Sequence, residues 1–93
     1  MNVFIVSAHP EPKSFNTALR DLSIRVLEDL GHEVRVSDLY DMGFNPVASA
    51  EDFSERQNPD YLVYALEQRH GYETGTLSPY ILDEIEKVLW CDL

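Results

Sequence analysis

Residues 3–16, VFIVSAHPEPKSFN, decide how this chain is read. Val3, Phe4, Ile5 and Val6 run without a polar break. A short run of β-branched and aromatic residues, closed by turn formers, predicts a strand buried on both faces. The turn holds Ser7, His9, Pro10, Glu11, Pro12, Lys13 and Ser14. A helix opens directly after it, and the first turn of a helix leaves backbone N–H groups without intrahelical partners. A strand running into a helix N-terminus is the arrangement with which α/β proteins bind phosphate. The stretch therefore predicts an α/β fold with an anion site at the C-terminal end of its first strand.

The helix that follows has the strongest periodicity in the chain. Phe15, Leu19, Leu22, Val26 and Leu30 recur at helical spacing and share one face, which predicts a helix over 14–30. Arg20, Asp21, Arg25, Glu28 and Asp29 fall mostly elsewhere and are expected in solvent. Ser14 is the expected N-cap, and Gly31 sits where a left-handed residue ends a helix. Glu33–Asp38, EVRVSD, alternates Val34 and Val36 with Glu33, Arg35 and Ser37, the pattern of a half-buried edge strand. Strand, helix and strand with short links form a βαβ unit with parallel strands.

Leu39–Asn58 is a long connection with turn signals at Gly43, Asn45 and Pro46. Ser49 followed by Glu51 and Asp52 can open a short helix. Such a connection is either functional or packed across a sheet edge. Asp60–His70 reads as a helix, GYETG over 71–75 as a turn, and Ser78–Leu89 as a last helix. Ser78 is its expected cap, with Pro79 at the first position, where a missing N–H costs nothing. Ile81, Ile85, Val88 and Leu89, extended by Trp90, form its apolar face. A third strand is expected to begin near Leu93. Two parallel strands make a poor sheet alone, because parallel sheets need more strands and covered faces. Residues 1–93 are accordingly read as the N-terminal part of an incomplete doubly wound domain, with no second domain.

Charge and composition exclude several functions. The formal net charge of −10 opposes general nucleic-acid binding and docking on anionic membranes. At 44% hydrophobic residues the chain can bury a core and is no disordered tail. Cys91, the single cysteine, cannot form an internal disulfide, which points to a reducing compartment. The N-terminus lacks signal-peptide features and no apolar run approaches a membrane span, so a cytoplasmic location is expected.

AHPEPKSFN at residues 8–16, DLYDMGFNPVAS at 38–49 and TGTLSP at 74–79 resemble the flavodoxin-like NAD(P)H:quinone oxidoreductases of the DT-diaphorase type. The resemblance covers nearly the whole chain. It implies a bound flavin, FMN or FAD, at the end of the first strand. It also implies two-electron reduction of quinones with hydride from NAD(P)H, in a cytoplasmic homodimer. The family positions that approach the flavin phosphate fall on His9, Ser14, Phe15 and Asn16. Val63 stands where the family can place a glutamine near the flavin. The family's isoalloxazine loops and its catalytic Tyr and His follow the third strand and have no counterpart here. No catalytic residue is therefore assigned, and the chain alone is expected to be inactive. Relatives also serve as ancillary subunits of potassium-efflux systems, which is the alternative role.

Each candidate has a structural reading beside the functional one. His9 contacts phosphate or hydrogen-bonds its own turn, supplying a donor or, with Lys13, positive charge. Ser14 caps the helix in either case. Asn16 is a mediocre residue inside a helix, which favours a functional role, whereas Phe15 shares its duty with the core. His32 beside Gly31 favours the helix end. His70 near Glu73 lacks a third ligand, so no metal is expected. Asp38 and Asp41 read as turn formers rather than an acid–base pair. Cys91 reads as a small buried hydrophobe. Tyr61, Tyr64, Tyr72 and Tyr80 either line a dimer surface or pack internally.

Overall fold

The computed structural model describes all of residues 1–93. Its elements are β1 (Asn2–Ser7), α1 (Phe15–Asp29), β2 (Glu33–Asp38), a 3-10 turn (Ala50–Asp52), α2 (Tyr64–Thr74) and α3 (Pro79–Trp90). They divide into two compact units, one of Met1–Phe44 with Glu86–Leu93 and one of Asn45–Ile85.

In the first unit β1 and β2 pair in parallel, from Asn2 opposite Glu33 to Ser7 opposite Asp38. The helix between them starts and stops as its sequence dictates. Ser14 Oγ accepts the Thr17 N–H at the N-terminus. At the C-terminus Gly31 N–H donates to Glu28 C=O and His32 N–H to Leu27 C=O, with Gly31 left-handed at φ 88°. That pair of bonds is the Schellman closure. Ser7 and Asp38 end neighbouring strands on one face of the sheet, and Arg20 of α1 reaches both. On the opposite face Arg35 lies over the Trp90 ring, 4.2 Å from its centroid, and Lys87 Nζ donates to Ser37 Oγ at 2.8 Å.

Burial in this unit departs from the sequence expectation at three places. β1 is not buried on both faces: Val3 is buried, but Val6 is 54% exposed. The last turns of α3 cover Arg35 and Ser37 of β2 and leave Val6 open. The stripe of Phe15, Leu19, Leu22, Val26 and Leu30 is also open, with Phe15 80% exposed. Thr17, Arg20, Ser23, Ile24 and Leu27 form the half-buried side of α1 instead. Two strands about 4.8 Å apart are narrower than a helix about 10 Å across, so the sheet covers only part of the apolar stripe. On β2 it is Ser37, not Val34 or Val36, that is fully buried, held by the Lys87 ammonium.

In the second unit the expected short helix is the 3-10 turn, closed by a capping box between Ser49 and Asp52. Phe53 bridges Leu77 in antiparallel fashion; both are buried, and Phe53 meets the Tyr64 ring at 5.1 Å. α2 begins at Tyr64 rather than Asp60, because Asn58 Oδ1 accepts the Asp60 and Tyr61 N–H groups and holds them in a turn. Glu67, 2% exposed, fastens the incoming chain by accepting the Gln57 and Asn58 N–H groups. The same bonds, with Asn58 the larger cause, hold its carboxyl below the ordinary range. At its other end α2 runs through Gly71–Thr74, where a turn was expected. A side chain at residue 71 would meet Leu77 Cδ2 at 2.6 Å, so glycine there permits the close return of the chain. α3 begins at Pro79 as expected, and the Ser78 carbonyl accepts from Ile81 and Leu82 N–H. The Ser78 hydroxyl, however, donates to Glu51 C=O. Val88 and Leu89 of the expected apolar face are exposed.

Candidate functional site: the loop between β1 and α1

The loop that joins β1 to α1 is held by its own polar groups. His9 Nδ1 accepts the Glu11 N–H at 3.0 Å, and Glu11 Oε1 accepts the Lys13 N–H at 2.8 Å. Ser14 N–H donates to Glu11 C=O at 3.1 Å. Ser14 Oγ takes the Thr17 N–H and donates to Thr17 Oγ1, which donates to Glu11 C=O. These bonds occupy the Ser14 hydroxyl and leave the N–H groups of Phe15 and Asn16 without a partner in the chain. They are the orphan donors of a helix start. With Nδ1 accepting, the neutral His9 ring carries its proton on Nε2 and offers a donor there.

His9 and Asn16 line one cavity of about 510 Å³ between β1 and α1, together with Ile5, Val6, Thr17 and Arg20. A second cavity of about 350 Å³ lies on the other side of the loop and is lined by His9, Arg20, Asp38, Tyr40 and Asp41 among others. Of the four predicted contacts, the structure thus brings His9 and Asn16 together. Ser14 is engaged in the cap, and the Phe15 side chain points to solvent.

Arg20 was missed by the sequence reading, which left it in solvent. Its guanidinium reaches across the end of the sheet, donating to Asp38 Oδ2 at 2.7 Å and to Ser7 Oγ at 3.4 Å, and it also binds Asp21. The available signal is its position one turn after Asn16, on the helix face that a βαβ unit turns toward the end of β2. Asp38 accepts the Asp41 N–H, as a turn former does, but it is also the ion-pair partner of Arg20. The Asp41 N–H, and after it the Arg20 guanidinium, hold the Asp38 carboxyl below its ordinary range.

A polar knot in the second unit was also missed. Buried Asp52 accepts from the Tyr64 and Tyr80 hydroxyls and from the Ser49 N–H. The Tyr64 hydroxyl first, then Tyr80, draws the Asp52 carboxyl below its ordinary range, while Tyr80 is pushed up to about 12. The capping-box spacing could have found Asp52, but nothing local pairs it with tyrosines so distant in sequence. Tyr64 and Tyr80 therefore pack internally. His32 Nδ1 meets the N-terminal amine, and Cys91, half-buried, donates to Val88 C=O. No group of His, Cys, Asp and Glu side chains is arranged to hold a metal ion.

A parallel βαβ unit with its helix between the two strands defines the class: an open-sheet α/β protein whose first strand-to-helix loop lies beside a cavity. The chain belongs to the family described as having a flavodoxin-like fold, whose model matches residues 1–93. It is 41% identical to mouse ribosyldihydronicotinamide dehydrogenase [quinone] over 92 residues, covering 98% of this chain and 40% of that protein. It is 39% identical to guinea-pig NAD(P)H dehydrogenase [quinone] 1, covering 96% of this chain and 33% of that protein. The crystal structure of a putative quinone reductase from Klebsiella pneumoniae superposes with a TM-score of 0.93 at 40% identity. That match covers 99% of this chain and 36% of the Klebsiella chain. The chain thus spans a third to two fifths of the relatives it matches, their N-terminal portion. No helix is long and apolar enough to cross a membrane.

Proposed function

We propose that this chain is the flavin-phosphate-gripping part of an NAD(P)H:quinone oxidoreductase, the N-terminal part of one flavodoxin-like domain. One observation carries the reading. The free N–H groups of Phe15 and Asn16 stand at a helix start whose neighbouring cavity is walled by His9 and Asn16. The donor set fits a phosphate ester. Two backbone N–H groups, the His9 Nε2–H and the Asn16 amide can all donate, and the helix dipole adds positive potential. Arg20 adds a guanidinium on the wall of the same cavity, although Asp38 and Asp21 compete for it. Ser14 works indirectly, by fixing the first turn, and Phe15 contributes its N–H rather than its ring.

A flavin held there, FMN or FAD, would supply the redox chemistry, two-electron reduction of a quinone with NAD(P)H as hydride donor. The residues of this chain hold the phosphate end. The relatives whose names include quinone support the substrate class. A cytoplasmic homodimer is the expected setting of the whole enzyme.

Titration of the 93-residue chain with FMN and with FAD, followed by flavin fluorescence quenching, tests the reading. Saturable binding is expected, weakened about tenfold, ~1.4 kcal/mol, by either His9→Ala or Asn16→Ala. The same preparation is expected to show no NAD(P)H–quinone turnover. Absence of binding by a folded chain, or binding indifferent to both substitutions, would sink the proposal.

A further inference from the structure

Arg20 stands between the two cavities beside the first loop and lines both. It is the one arginine or lysine in either lining, and Lys13 borders neither. Its Nη1 serves an acceptor on each side. Ser7 Oγ, on the wall of the larger cavity, lies at 3.4 Å, and Asp38 Oδ2, on the wall of the smaller, at 2.7 Å. The bond to Asp38 is the short, charge-assisted one, between two partly buried side chains. Nε donates to Asp21 Oδ1 at 3.0 Å, a pairing with an exposed neighbour that solvent screens. One positive charge thus meets two carboxylates. The other donors of the loop, the Phe15 and Asn16 N–H groups and the Asn16 amide, carry no charge. An anion arriving there meets a guanidinium already turned to another anion.

We propose that Asp38 sets the affinity of the first loop for phosphate by competing with the bound phosphate for Arg20. The inference rests on the reading of that loop as a phosphate site. In the empty loop Arg20 ties Asp38 to Ser7. A phosphate monoester entering the larger cavity draws the guanidinium from the Asp38 carboxylate to its own oxygens. The broken Asp38 bond offsets the new one, so the loop holds phosphate less tightly than its donor set allows. Asp38 keeps its place and its charge after the exchange, because Oδ1 accepts the Asp41 N–H. That N–H, ahead of Arg20, is the larger cause of its lowered pKa, so Asp38 remains a competitor. Asp41 lines the same smaller cavity and carries the same charge, but Arg20 pairs with Asp38 and Asp21 and not with Asp41. Asp41 therefore separates competition for the guanidinium from general repulsion between carboxylate and phosphate.

The test titrates the 93-residue chain with FMN, with riboflavin, which lacks the phosphate, and with inorganic phosphate, following the Phe15 and Asn16 amide resonances by NMR. Asp38→Asn keeps an oxygen for the Asp41 N–H and removes the charge that holds Arg20. It is expected to bind FMN and inorganic phosphate about tenfold more tightly than the parent chain, with riboflavin unchanged. Asp41→Asn is expected to stay within about twofold of the parent for all three. In an Arg20→Met background the gain from Asp38→Asn should shrink to that of Asp41→Asn. Amide spectra verify folding, and Asp38→Ser, whose hydroxyl also accepts a turn N–H, replaces an asparagine variant that does not fold. Equal gains from Asp38→Asn and Asp41→Asn, or a gain that survives the loss of Arg20 or extends to riboflavin, would overturn the proposal. So would the absence of any phosphate-dependent shift in parent and variant alike. The expected pattern with inorganic phosphate in a chain that ignores FMN would uphold the competition and overturn the flavin reading.

Discussion

Arg20 on α1 and Asp38 at the end of β2 are joined by a 2.7 Å ion pair that spans the open end of the sheet. Arg20 also touches Ser7, the last residue of β1, so one guanidinium ties both strand ends to the helix that follows the loop. The loop carrying His9 is thereby framed by Ser14 capping on one side and this pair on the other. Arg20→Met keeps the aliphatic stem and removes the tie. The Asp38 carboxyl should then titrate closer to its ordinary pKa, yet still below it, because the Asp41 N–H is the larger cause of its depression. Carboxyl carbon shifts measured by NMR against pH check this; an unmoved Asp38 would show that the pair contributes nothing to the framing.

Replacing Ser14 by Ala should cost about 0.5–2 kcal/mol and free the Thr17 N–H from its cap. If the cap only orders the first turn, flavin affinity should fall less than in Asn16→Ala. Chemical denaturation and the same flavin titration separate the two effects. A larger affinity loss in Ser14→Ala would make the hydroxyl itself a ligand.

The βαβ unit was legible because each of its signals is local: an apolar run, a helical stripe between Ser14 and Gly31, and an alternating strand. The capping box at Ser49 and the Pro79 start were legible for the same reason. What escaped the reading depends on pairs distant in sequence. Arg20 finds Asp38, Asp52 finds Tyr64 and Tyr80, and Lys87 buries its ammonium on Ser37. The start of α2 was misplaced because Glu67 and Asn58, not helix propensity, fix where the chain turns. The stripe on α1 was read as one face, and its residues lie exposed, since periodicity reports which side is apolar and not what lies against it.

Asp52 gives the second unit opposite responses to acid and base. Its carboxyl is depressed in the folded chain, by Tyr64 first and Tyr80 next, so its contribution is present above the ordinary carboxylate range. That contribution is lost as pH falls through the lowered folded value. Tyr80 moves the other way, from 10.0 to about 12, so its contribution is complete below the ordinary tyrosine value and disappears as pH rises through about 12. Urea midpoints across pH should therefore fall at both extremes. Tyr64→Phe should cost about 1–2 kcal/mol at neutral pH by leaving Asp52 one donor short, and should flatten the acid limb. An acid limb unchanged in Tyr64→Phe would remove Asp52 from the account.

Gly71 and Gly75 bound the last turn of α2 and are predicted to respond to alanine for different reasons. At Gly75, φ is +70° and nothing lies within 4 Å of the added carbon, so only the left-handed backbone opposes the change. The expected loss is about 1–2 kcal/mol. At Gly71 the backbone is helical, and alanine gains about 1 kcal/mol of propensity. The added carbon, however, would sit 2.6 Å from Leu77 Cδ2 and 3.1 Å from Leu77 Cγ, in the small core around Phe53. Overpacking costs about 1–3 kcal/mol, so the net effect is a loss of about 0–2 kcal/mol. Leu77→Ala in the Gly71→Ala background removes the clashing branch, and the two changes should be strongly non-additive because the residues touch. A double-mutant cycle by thermal or urea denaturation decides the matter. Additive losses would mean that the close return of the chain past Gly71 does not govern the packing of Leu77.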